Sequence, residues 1–238
     1  MIYFLEELSE LLYPRRCPIC QEILTKRAEK ICSVCRKKVV PLGEPICKIC
    51  GKPVWDARQE SCPDCAGNKH FFTKGRAAFL YEKEIRQSVY RFKFQNKREY
   101  GDFYSSELVR LYGREILTWK PDVIIPVPMY KKKQRQRGYN QAETLAKEIG
   151  KKLSLPVDAK YLKRVRPTIP QKELGKKERE INLKNAFKTS ENAVKLEKVL
   201  LIDDIYTTGV TMDEAAKALL RSGVKEVRFL VLCTGKTD

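Results

Sequence analysis

Four Cys-x-x-Cys pairs, each separated from the next by 11 residues, constrain this chain more than any other feature. They are CPIC (Cys17, Cys20), CSVC (Cys32, Cys35), CKIC (Cys47, Cys50) and CPDC (Cys62, Cys65), one unit recurring from Cys17 to Cys65. A Cys-x-x-Cys turn brings two sulfurs to one metal while a short hairpin delivers two more, and Zn²⁺ takes four thiolates in a tetrahedron. Eight thiolates therefore suit two closed structural sites. A cytosolic setting disfavours disulfides, and four even copies disfavour a redox pair. Sequential pairing is preferred, with Cys17, Cys20, Cys32 and Cys35 on one ion and Cys47, Cys50, Cys62 and Cys65 on the other; a cross-braced arrangement stays open. Gly51 and Lys52 are expected in a tight turn whose backbone N–H groups donate to the sulfurs. Closed four-thiolate sites leave no position for substrate, so this zinc builds the fold or a binding platform and does no catalysis.

The ninth cysteine, Cys233, lies in the apolar run VRFLVLC and reads as a buried strand residue. His70 is the only histidine; with sulfurs enough for both metals it reads as a surface residue. The division expected is a zinc-binding module over residues 1–70 and an α/β domain over 71–238, a length that allows one good-sized core plus a small one. The opening MIYFLEELSELLY has the spacing of a short amphipathic helix, with acidic residues where a signal peptide would be basic. No apolar run reaches the roughly 18 residues needed to span a bilayer, so a cytoplasmic protein without a membrane span is expected.

Charge is the second constraint. The formal net charge is +18, and residues 1–70 hold 12 basic against 9 acidic side chains, so 15 of those charges lie downstream. Eight thiolates on two Zn²⁺ would lower the total only to about +14. Such an excess favours polyanionic partners such as nucleic acid, or an anionic membrane surface. The cations form two clusters, Lys131, Lys132, Lys133, Arg135 and Arg137, and the stretch from Lys160 to Arg179. The latter is broken by Pro167 and Pro170 and lacks apolar periodicity, as in a lid ordered on binding. Between the modules, Tyr81, Tyr90, Phe92, Phe94, Tyr100, Phe103 and Tyr104 interleave with Arg86, Arg91, Lys93, Lys97 and Arg98. Aromatic faces between cations suit single-stranded nucleic acid; at least half of these rings are expected in the core instead.

Apolar runs alternate with helical patterns through the second half, the order of a parallel α/β sheet flanked by helices. Within it VLLIDDIYTTGVT carries the most chemistry. A strand from Val199 to Ile202 ends in Asp203 and Asp204, and ligands of open α/β sheets bind at the carboxyl ends of strands. Tyr206, Thr207, Thr208, Gly209 and Thr211 then offer backbone N–H groups and hydroxyls at a helix amino terminus, a seat for a phosphate. Two adjacent carboxylates one step away suit the hydroxyls of a ribose.

This segment resembles the phosphoribosyl pyrophosphate loop of type I phosphoribosyltransferases. The resemblance implies that Asp203 and Asp204 hold the ribose hydroxyls, that Thr207, Thr208, Gly209 and Thr211 cradle the 5-phosphate, and that Mg²⁺ accompanies the pyrophosphate. It narrows to the ComF family of competence proteins through Pro126, Val127 and Pro128, then Arg137, Gly138, Tyr139, Asn140 and Gln141, and through Arg164, Gln171, Arg179, Asn182 and Phe187 in the basic stretch. With the cysteines, the likeness covers nearly the whole chain. It implies a cytosolic protein handling single-stranded DNA in natural transformation beside a helicase-like translocase. Lys131, Arg135, Arg137, Arg164 and Arg179 are the candidate contacts to pyrophosphate or DNA. The alternative is an active phosphoribosyltransferase whose acceptor the residues do not reveal.

Overall fold

The computed structural model describes residues 14–26, 28–167, 176–190 and 195–236, leaving aside the side chains of residues 176, 177, 179 and 180. The amphipathic stretch expected at residues 1–13 and the central residues 168–175 of the basic segment, Gln171 among them, lie outside it.

Each half of the cysteine region is one knuckle and one helical turn. In the first, Cys17 N–H donates to the Glu22 carbonyl and Gln21 N–H to the Cys17 carbonyl; in the second, Cys47 and Gly51 repeat this with Lys52. The other two sulfurs of each half come from the amino-terminal ends of α1 (Ser33–Lys38) and α2 (Pro63–Ala66), not from a hairpin strand. A helix start suits the task because its first N–H groups lack intrahelical partners: Cys35 N–H reaches Cys32 Sγ at 3.4 Å.

The larger part is a four-stranded parallel sheet. Its strands are β1 (Lys74–Leu80), β2 (Val123–Pro126), β5 (Lys198–Tyr206) and β6 (Glu226–Thr234), in the order β1-β6-β5-β2. Alternate residues feed two cores. Ile125, Leu201, Phe229 and Val231 face α8 (Val210–Arg221) and the second cysteine half. Ile124, Leu200, Ile202, Leu230 and Leu232 face α3 (Lys83–Phe94), α4 (Tyr100–Trp119), α6 (Gln141–Leu153) and the first cysteine half. Burial on both faces is why β5 is apolar without alternation. The helix α5 (Lys131–Arg137) follows β2 as a basic turn at the sheet's carboxyl edge. The start of the basic stretch pairs with the chain that follows it as an antiparallel ribbon, β3 (Leu162–Arg164) with β4 (Phe187–Thr189), and α7 (Lys176–Leu183) precedes β4. Among the described residues no helix is long and apolar enough to cross a membrane.

The interleaved aromatic segment divides. Phe92, Tyr100, Phe103 and Tyr104 are core; Tyr90 and Phe94 are 50% and 51% exposed. Cys233 is fully buried in β6, as its apolar run implies.

The two knuckles differ at one position. Gln21 (φ 69°) is exposed, whereas Gly51 (φ 75°) is pressed against β1. A Cβ at residue 51 would lie 2.9 Å from Arg76 Cα and from the Gly75 carbonyl oxygen. Gly51→Ala therefore combines a left-handed backbone with a backbone clash and is expected to cost about 2–4 kcal/mol, read by chemical denaturation. Gln21→Gly at the matching position is expected to be near neutral or stabilising.

Candidate functional site

The cysteines form two separate clusters, Cys17, Cys20, Cys32 and Cys35 in one and Cys47, Cys50, Cys62 and Cys65 in the other, each with all sulfurs within 4.8 Å of one another. Sequential pairing is thus the arrangement. Cys20 and Cys32 sulfurs are 3.8 Å apart and those of Cys50 and Cys62 3.6 Å. Four Zn–S bonds of about 2.3 Å would place sulfurs about 3.8 Å apart in a tetrahedron, so both donor sets fit zinc. Cys50 N–H approaches Cys47 Sγ at 3.5 Å and the Lys52 backbone donates to the Cys50 sulfur, the role expected of that turn. All four sulfurs of the second knot are buried; in the first, Cys20 is exposed.

At the carboxyl edge of the sheet, β5 continues through Asp203 and Asp204 to Tyr206. Burial comes first among the forces on Asp203, with the Asp204 charge second, and together they push its carboxyl up to about 7. The Asp204 N–H, 2.8 Å from Asp203 Oδ1, and the charges of Lys93 and Arg164 oppose the rise. Lys93, at the end of α3, holds Asp204 Oδ1 at 2.8 Å, both groups mostly buried. Burial lowers the Arg137 and Arg164 guanidinium pKa values while the acid pair pulls Arg137, and Asp203 pulls Arg164, the other way. Three cations thus converge on two desolvated carboxylates, an arrangement suited to polar ligands that carry both hydroxyls and anionic groups.

The run from Arg137 to Gln141 builds one wall of this site. Arg137 donates to Gln141 Oε1 at 2.7 Å and lies over the Phe94 ring, 4.6 Å from its centroid. Gly138 ends α5 in the left-handed conformation. The Tyr139 hydroxyl donates to the Phe92 carbonyl, tying this wall to α3. Asn140 caps α6 through Ala142 N–H at 3.1 Å and donates to the Val127 carbonyl at 3.0 Å, fixing the end of β2.

Thr207 is exposed, Thr208 and Thr211 are half-buried, and Gly209 (φ 85°) caps α8. Lys131 and Arg135 are exposed on α5; the Arg179 side chain lies outside the described residues. Tyr206 differs from the expectation of a loop ligand in its side chain. Its ring is 2% exposed and stacked on Phe229 at 4.9 Å, so only its backbone belongs to the loop. A Cβ on residue 209 would meet the Tyr206 hydroxyl at 2.7 Å, so the loop needs glycine there for close approach as well as for φ.

His70 corrects the surface assignment. Its side chain is 6% exposed, and its Nδ1 lies 2.8 Å from Asp213 Oδ2 in the first turn of α8. The other oxygen, Oδ1, accepts from Phe71 N–H at 2.8 Å. One carboxylate thereby clamps the end of the cysteine module to the first turn of α8. Sequence reasoning missed this clamp and the Lys93–Asp204 pair. Each joins residues more than a hundred positions apart, and no local spacing records such a contact.

Residues 8–66 match the family described as Double zinc ribbon domain, and residues 105–238 the family described as Phosphoribosyl transferase domain. Competence protein F of Haemophilus influenzae is 35% identical over 175 residues, which cover 71% of this chain and 76% of that protein. The DNA utilization protein YhgH of Escherichia coli K12 is 32% identical over 160 residues, 64% of this chain and 68% of its own. Competence protein ComFC of Bacillus subtilis is 28% identical over 150 residues, 63% and 59%.

Two outcomes follow from the geometry. Asp203 has a folded pKa raised above the unfolded 3.8, so the folded state binds more protons and stability falls as pH climbs from about 4 through about 7. Asp203→Asn is expected to raise the melting temperature by a few degrees at pH 8, with the gain shrinking by pH 5, in paired thermal melts. A chelator is expected to remove zinc in two phases, the faster from the knot that exposes Cys20. In Cys20→Ser the fast-phase zinc should be missing while the slow phase persists.

Proposed function

This chain belongs to the ComF family of competence proteins, a double zinc ribbon followed by a phosphoribosyltransferase domain, and from that membership we propose that it handles single-stranded DNA in the cytoplasm during natural transformation. The relatives' names, Competence protein and DNA utilization protein, support a role in DNA uptake competence. We further propose that the site at the end of β5 binds phosphoribosyl pyrophosphate with Mg²⁺, that residues 1–70 and 71–238 act as the two functional units, and that a helicase-like translocase is a partner.

The observation that carries the pocket reading is the desolvated Asp203–Asp204 pair, met by Lys93, Arg137 and Arg164, at the sheet edge where α8 begins. In this reading Asp203 and Asp204 accept hydrogen bonds from the ribose hydroxyls, which take over from Lys93 at Asp204. The backbone from Thr207 to Thr211 receives the 5-phosphate at the positive end of α8. Arg137 and Arg164 face the pyrophosphate. Mg²⁺, when bound, neutralises pyrophosphate oxygens beside the carboxylates. The raised Asp203 pKa fits such a site, because a cation entering it restores the ionised form.

A second reading, phosphoribosyl transfer to an acceptor yet to be named, rests on the same acid pair. Cations gathered where pyrophosphate would depart are what that chemistry requires.

Fluorescence anisotropy with a labelled single-stranded oligonucleotide, across a salt series, tests the first reading. Submicromolar binding at low salt is expected, falling about a thousandfold or more between roughly 50 and 200 mM if several phosphates are contacted. Phosphoribosyl pyrophosphate with Mg²⁺ should shift the affinity, and Asp203→Asn with Asp204→Asn should remove that shift while leaving binding itself. Absence of binding at low salt would sink the DNA reading, and pyrophosphate release on turnover would then establish the transferase.

A further inference from the structure

Tyr90 and Phe94 stand one helical turn apart on α3, and both are half exposed although the segment's other phenylalanines and Tyr100 and Tyr104 are core. Their ring centroids are 5.0 Å apart. The ring planes are tilted by 41°, and the Arg137 guanidinium, drawn out of water by its surroundings, lies 4.6 Å from the Phe94 centroid, so a third planar group adjoins the pair. Isolated exposed apolar side chains are ordinary on protein surfaces. Here two neighbouring rings adjoin a partly buried cation that feels the charges of Asp203 and Asp204. Lys93, the residue before Phe94, is the one that grips Asp204.

We propose that Tyr90, Phe94 and Arg137 form a stacking step for one unpaired base of a single DNA strand, next to the acid pair that addresses sugars. Planar bases stack on aromatic rings and guanidinium planes whatever their sequence. The strand, and not a free base, is the occupant that the surrounding charge favours. On the helix leading to Arg137, the exposed Lys131, Lys132 and Arg135 offer a path for consecutive phosphates. A free base would have no use for them. The proposal rests on the DNA reading above and adds where the protein takes hold of a base.

The test compares an oligothymidylate with an abasic strand of equal length and charge, on the full zinc-loaded chain. The parent protein is expected to bind the thymidylate about tenfold more tightly than the abasic strand. Phe94→Leu and Tyr90→Leu keep apolar bulk on the helix but remove the ring. Each should bring thymidylate affinity down toward the abasic value and leave abasic binding and the melting temperature unchanged. Equal binding of the two strands by the parent protein, or an unaltered ratio in Phe94→Leu, overturns the step while leaving DNA handling intact. Binding of neither strand defeats the DNA reading and this proposal with it. Free thymidine bound without any strand, and lost in Phe94→Leu, overturns the strand as occupant.

Discussion

The second four-thiolate knot is the constraint on which the rest of the architecture depends. Its cysteines share one buried cluster with Phe72, Tyr206, Val210 and Phe229, so the metal-bound ribbon and the end of β5 have a common core. Phe72 meets the Phe229 ring edge-on at 4.7 Å, and Lys52, paired with Asp64 at 2.7 Å, lies above the Tyr206 ring. A ribbon this short buries too little apolar surface to hold itself together, and four metal–sulfur bonds supply what the chain lacks. Once pinned, the ribbon becomes the floor under the turn from Tyr206 into α8. Tyr206 cannot move without disturbing both.

Electrostatics at the other side of the loop run against stability. Two adjacent carboxylates at a partly closed strand end repel each other and lose hydration, and the fold tolerates them because Lys93, Arg137 and Arg164 stand within reach. Arginine and lysine are themselves desolvated there. Such a cluster is a poor way to stabilise a fold and a good way to prepare a binding site, since a ligand bearing hydroxyls and phosphates satisfies acids and cations together.

Much of this was legible because the informative residues were close in sequence. Even cysteine spacing pointed to two knots, with sequential pairing preferred and cross-bracing left open until the sulfurs were placed, and an apolar strand closed by Asp203 and Asp204 pointed to the sheet edge and the turn into α8. The segment from Arg137 to Gln141 was visible as a unit, but its division of labour was not. That one residue caps a helix, another ends one, and a third reaches the α3 backbone depends on where α3 lies. Lys93 looked like one cation among several in an aromatic stretch. Only the packing of α3 against the sheet, through Val89 and Phe92, aims it at Asp204. His70 was misread for a similar reason, its partner Asp213 belonging to a helix on the far side of the chain. The hairpin expected for the second sulfur pairs gave way to helix starts, which hold two sulfurs equally well.

The two ribbons also divide the site between them. The first packs on the helices of the opposite core. Arg91 on α3 donates to the carbonyls of Pro18 and Ile19, Arg36 pairs with the buried Glu107 of α4 at 2.7 Å, and Lys30 reaches Asp102 at 2.8 Å. The Arg91 bonds hold α3, which carries Lys93, Tyr90 and Phe94, and the other two pairs hold its neighbour α4. The second ribbon fixes the end of β5 and, through the Asp213 clamp, the start of α8. Each metal knot thus braces one of the elements that meet at the acid pair, the end of β5 on one side and α3 on the other. A doubled zinc module makes physical sense on this domain for that reason: one ribbon could steady either the end of β5 or the helix opposite it, and a site built across both needs the pair.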